Sequence, residues 1–131
     1  MLDPQITECC AARFEMEPDV HAVWILGSAV AGRLRDESDV DLAVLYREGA
    51  LLDLERVGAL ASDIEGIVGR QVDMGRLDTR NLIYAMEAIR EGVLLYQRDS
   101  TVTDRFVDRV SALYFDLKRE RKVVEDAYCA G

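Results

Sequence analysis

Apolar residues recur every fourth position at Ile6, Cys10 and Phe14, directly after Asp3-Pro4. Asp as cap and Pro at the first helical position start a helix there, and Pro18 closes the segment. Residues 21–26, His-Ala-Val-Trp-Ile-Leu, are an unbroken apolar run that ends at Gly27 and reads as a buried strand. Ser28 to Leu34 predicts a short helix or helical turn. Residues 39–46 predict a second strand that opens on Asp39 and Asp41, whose side chains fall on one face because strand side chains alternate. From about Leu52 to Val68, the positions Leu54, Val57, Ala61, Ile64 and Val68 fit a helical period, with Gly69 as C-terminal cap.

Gln71 to Leu77 predicts a third strand with Asp73 set among Val72, Met74 and Leu77. A helix over Thr79–Arg90 follows, with Leu82, Met86 and Ile89 on one side, Asp78 as its cap and Gly92 as its stop. Val93 to Tyr96 is either a fourth strand or a docking segment. Phe106, Val110, Leu113, Leu117, Val124 and Tyr128 then predict a long C-terminal helix over about 103–128. The sum is an α/β (α+β) fold: a small mixed sheet flanked by helices, in one domain spanning 1–131.

Composition narrows the function. The 131 residues are 50% hydrophobic and carry a net charge of −9, which suits a globule and makes a nucleic-acid partner unlikely, since phosphate backbones call for a basic face. No apolar run approaches the roughly 20 residues of a membrane span, and the N-terminus shows no secretory pattern, so a cytoplasmic location is expected. Cys9, Cys10 and Cys129 with a lone His21 make no zinc constellation, and adjacent cysteines pair poorly. One of Cys9 and Cys10 is expected to pack as a small apolar residue, and His21 to be structural or exposed. Chemistry, if present, falls to carboxylates.

The informative stretch runs from Gly27-Ser28 to Ser38-Asp39-Val-Asp41. Gly27 permits a tight turn out of the first strand, and backbone N–H groups at a helix start plus the Ser28 hydroxyl suit a phosphate. Asp39 and Asp41 supply oxygen ligands for a hard divalent cation such as Mg²⁺, which prefers to be shared between carboxylates and substrate phosphates. A phosphate cradle facing paired carboxylates is the layout of two-metal nucleotidyl transfer.

Gly27-Ser28, ten residues, then Asp39-Val-Asp41 resembles the signature of the nucleotidyltransferase superfamily that includes DNA polymerase beta and kanamycin nucleotidyltransferase. The wording Gly-Ser-x3-Gly-x5-Ser-Asp-x-Asp-Leu and the small size look most like its minimal nucleotidyltransferase (MNT) branch, which contains the MntA antitoxins paired with HEPN-domain ribonuclease toxins. The resemblance covers about residues 20–100. It implies a third carboxylate on a later strand, for which Asp73 is the candidate. An acid inside an apolar run needs a metal or a donor nearby, the alternative being a plain surface strand end. The resemblance further implies that Asp39 and Asp41 hold both metals, that Asp73 completes the metal nearer the acceptor and takes the acceptor's proton, and that Gly27 and Ser28 hold the β- and γ-phosphates of ATP. Arg33, and Arg35 beside it, lie between the half-motifs within reach of phosphate, or are simply solvated.

Small-molecule and nucleic-acid members of the superfamily carry an extra domain for the acceptor, for which this chain shows no obvious room. A protein acceptor is therefore expected. The resemblance implies transfer of AMP from ATP to a tyrosine of a HEPN toxin. Two alternatives stay open: an aminoglycoside-type nucleotidyltransferase, and an antitoxin that blocks its toxin by binding alone. The C-terminal helix, with Tyr114, Phe115 and the basic run Lys118–Lys122, either packs on its own sheet or exposes a stripe for a partner or a homo-oligomer.

Overall fold

The computed structural model describes residues 2–27 and 39–130. Among these residues, four helices and four strands follow in the order α1 (Pro4–Glu15), β1 (Val20–Leu26), β2 (Val40–Tyr46), α2 (Leu54–Val68), β3 (Val72–Arg76), α3 (Leu82–Glu91), β4 (Val93–Gln97) and α4 (Ser100–Ala130). The sheet order is β3-β2-β1-β4. β1 pairs antiparallel with both β2 and β4, and β3 pairs parallel with β2. A parallel pair needs a crossover, and α2 supplies it. The mixed sheet, its flanking helices and the long last helix are the α+β architecture that the hydropathy pattern predicts. Among the described residues no helix is long and apolar enough to cross a membrane.

β1 and β2 read as continuous apolar runs because both of their faces are covered. Val23, Ile25, Val40, Leu42 and Val44 face α1 and α2, where Cys10, Phe14, Leu60 and Ile64 complete one core. Ala22, Trp24, Ala43 and Leu45 turn the other way and meet Ala85, Met86 and Ala88 of α3 and Val110 of α4. The alanines on both sides of this second layer let α3 approach the sheet closely. The Asp3 carboxylate caps α1 by accepting from Gln5 N–H, and Asp53 does the same for α2 through Glu55 N–H. Gly69 ends α2 with φ 77°, a left-handed conformation that glycine adopts without cost.

Several expectations change in detail. The buried face of α2 centres on Leu60 and Ile64, while Leu54 in its first turn is 84% exposed. The stripe Val57-Leu60-Ala61-Ile64-Ile67-Val68 fits the 3.6-residue period better than the one that begins at Leu54. α3 starts at Asn81, whose side chain accepts from Tyr84 N–H. Asp78 is not the helix cap. It instead closes a turn, accepting from the Arg80 backbone and pairing with the Arg80 guanidinium at 3.1 Å. Its carboxyl is held below the usual range by those Arg80 hydrogen bonds. Of the two readings of residues 93–96, the strand holds. Cys10 is the buried thiol, pushed up to about 11 by burial and by Cys9, and no disulfide forms.

Candidate active site

Asp41 is the second residue of β2, on the sheet face that α3 and α4 cover. In the parallel register it stands directly opposite Asp73 of β3, and in the antiparallel register it faces Leu26 of β1. Neighbouring strands run about 4.8 Å apart, so in-register carboxylates on one face are close neighbours. Asp39 lies just before β2 and adds a third charge. The three acids named from the sequence are thus brought to the same end of two adjacent strands. Burial raises the Asp41 carboxyl above its ordinary value, and the charges of Asp73 and then Asp39 add to the shift.

Asp73 differs from the expectation in one respect. It is exposed, because β3 is an edge strand. Desolvation therefore supplies no reason for an acid there; the register opposite Asp41 does.

Gly27 ends β1 with φ 75°, and a Cβ there would stand 3.3 Å from Asp41 Oδ2. The backbone turn and the approach of the carboxylate both call for glycine. Ser28, Arg33, Arg35 and the expected helical turn over 28–34 lie outside the described residues.

Tyr84 belongs to this site and was not singled out in the sequence. It sits in the first turn of α3 with its ring over Gly75, two residues beyond Asp73 on the same strand face. A Cβ at Gly75 would collide with the Tyr84 hydroxyl. The phenol is raised by burial first, then by the charges of Asp41, Asp73 and Glu87. The legible signal was Gly75 itself, since glycine inside a strand marks a close approach.

The donor set suits a hard divalent cation in one specific way. Among the described residues no ion pair or hydrogen bond reaches Asp39, Asp41 or Asp73, so within those residues nothing offsets their mutual repulsion. No three or more His, Cys, Asp or Glu side chains among those residues are placed to hold a metal ion by themselves. An open carboxylate set fits a magnesium ion that keeps water and completes its shell with substrate phosphate, rather than one caged by protein.

The family described as Polymerase beta, Nucleotidyltransferase matches residues 8–101. No curated protein matches the chain. Among solved structures, a toxin–antitoxin crystal structure with AMP-PNP is 20% identical, with 98% of this chain and 99% of that chain covered and a TM-score of 0.70. A tri-AMPylated Shewanella oneidensis HEPN toxin in complex with MNT antitoxin gives 18% identity, coverage of 95% and 97%, and a TM-score of 0.69. A toxin–antitoxin MntA-HepT structure gives 18%, coverage of 97% and 99%, and 0.68. At these identities the likeness is one of fold, and it runs nearly end to end. With the family match extending from α1 to the start of α4, and the acidic strand ends inside it, the chain belongs to the polymerase beta nucleotidyltransferase family.

Proposed function

We propose that this protein is the antitoxin of a HEPN-type pair and transfers AMP from ATP to a tyrosine hydroxyl of its toxin in a magnesium-dependent reaction. The observation that carries the reading is the in-register pair Asp41–Asp73, with Asp39 beside it and no ion pair to any of the three among the described residues. The near full-length likeness to toxin–antitoxin structures, one with AMP-PNP and one with an AMPylated toxin, supports the choice of nucleotide and acceptor.

Asp39, Asp41 and Asp73 would hold the metal, which when bound neutralises phosphate charge and favours in-line displacement. Gly27 and Ser28 place the β- and γ-phosphates, with Arg33 as a further phosphate contact. Asp73, exposed at the sheet edge, accepts the proton of the incoming hydroxyl. The acceptor oxygen bonds to the α-phosphorus while the bond to pyrophosphate breaks. Asp41 is placed by Gly27 on one side and by the strand ladder on the other.

The test is pyrophosphate release with Mg²⁺, ATP and the toxin, comparing wild type with the Asp39→Ala/Asp41→Ala double variant. Release by wild type, label on the toxin and loss of both in the variant are expected. Toxin silenced by a wild type that releases no pyrophosphate would make the chain a binding antitoxin. Release with an aminoglycoside but not with the toxin would move the acceptor to a small molecule.

A further inference from the structure

At the opposite end of the strands from the carboxylates lies a groove of about 630 Å³, on the same sheet face. Arg47 at its rim is six steps along the chain from Asp41, a span of about 20 Å at about 3.3 Å per residue. Its floor is apolar, with Leu45, Leu77 and Phe106. Its walls carry five arginines, Arg47, Arg76, Arg80, Arg105 and Arg109, against the two acids Glu48 and Asp78. In a chain of net charge −9 this is a local inversion of sign.

Two of the five are already paired: Arg47 with Asp19 at 3.0 Å, and Arg80 with Asp78. Arg76, Arg105 and Arg109 make no ion pair among the described residues. Arg105 and Arg109 are one turn apart on α4, where like charges repel, and Asp104 and Asp108 flank them without pairing to either. His21 lines the groove as well, at the register shift of β1 between Val20 and Ala22.

We propose that this groove is a second ligand site, separate from the carboxylates, which takes an oligophosphate, free or as the phosphate chain of a nucleotide, on Arg76, Arg105 and Arg109. Guanidinium groups bind phosphate in a bidentate fork and keep their charge at any working pH. The volume lies in the range of small-molecule sites, and the Phe106 and Leu77 floor is apolar enough to receive a base. The site does not depend on the nucleotidyl-transfer reading, since none of its residues belongs to the carboxylate set.

Calorimetric titration of the full chain with tripolyphosphate, in EDTA and low salt, tests it without the metal that the carboxylates would need. One tripolyphosphate per chain is expected for wild type and for Asp41→Asn. The Arg105→Gln/Arg109→Gln variant is expected to bind about tenfold or more weakly, because two charge-assisted contacts are lost, with an unchanged circular dichroism spectrum. A parallel titration with ATP distinguishes the sources: tighter binding than tripolyphosphate assigns the floor to a base, and equal binding assigns the site to the phosphate chain alone. Absence of saturable binding, or equal affinity in the arginine variant, would overturn the proposal. Loss of toxin binding in that variant, without any tripolyphosphate binding by wild type, would also overturn it and make the groove a seat for an acidic protein surface.

Discussion

Asp41 is held in its charged form at a cost, because burial and two neighbouring acids raise its carboxyl. Between the ordinary Asp value of 3.8 and the raised one, the folded chain binds more protons than the unfolded chain. Stability therefore falls as pH rises through that window and stays lower above it. Asp41→Asn is expected to raise the melting temperature at pH 7 and to lose that advantage below pH 3.8. Because water screens the site, the gain should stay under about 1 kcal/mol. Equal melting curves for the two proteins at pH 7 would show that the repulsion is already relieved. Gly75 makes a steric prediction beside it. Gly75→Ala drives a methyl into the Tyr84 ring and should cost about 1–3 kcal/mol unless the ring swings out. Pairing it with Tyr84→Ala in a double-mutant cycle should recover part of that loss. Purely additive effects would mean that the two residues do not compete for the same space.

At the scale of elements, Arg98 ties the end of β4 to the α1–β1 connection. Its guanidinium donates to the carbonyls of Val20, Glu15 and Glu17, at 3.1, 2.8 and 2.9 Å, and lies over the Tyr96 ring. Arg98→Ala should lower stability by about 1–2 kcal/mol, since three carbonyls lose a charged donor while water reaches some of them. Chemical denaturation reads this directly, and a shift in midpoint without a change in slope is expected. α4 divides into two halves with different duties. Phe106, Val107, Val110 and Tyr114 pack on the sheet, whereas everything from Lys118 to Cys129 is exposed, including Val124 at 58% and Tyr128 at 85%. Packing on its own sheet, one of the two readings open for this helix, describes its first half, and the second half is exposed. Removing residues 119–131 should leave the melting temperature within a degree or two, because almost no core area is lost. If the proposed toxin docks on the exposed half, the same truncation should weaken its binding in a pull-down. A truncated chain that still binds with full affinity would move the interface elsewhere.

For the whole molecule, charge is distributed by strand end. The −9 net charge describes the surface average and hides a basic groove at one end of β2 and β3 opposite an acidic cluster at the other. The composition made a nucleic-acid partner unlikely, and that inference holds for the average field only. A long helix of 31 residues, about 46 Å at 1.5 Å per residue, projects its second half from the packed layers. The acidic strand ends and the helix tip are separate surfaces, so loss of the proposed activity and loss of association are separable by mutation.

Periodicity and capping alone predicted α1 to α4 and the first three strands to within a few residues, because burial of one face and the needs of free N–H and C=O groups act locally. Gly27, Asp39 and Asp41 were legible for the same reason, since a turn, a strand start and a short spacing are local. The tertiary structure alone decided the rest. It set Asp73 opposite Asp41, where register fixes the pairing, and it exposed that acid by making β3 an edge. It chose Leu60 over Leu54, moved the α3 cap from Asp78 to Asn81, brought Tyr84 over Gly75, and gathered arginines from four segments into one groove. Each of these depends on contacts between residues distant in sequence, which no local pattern encodes.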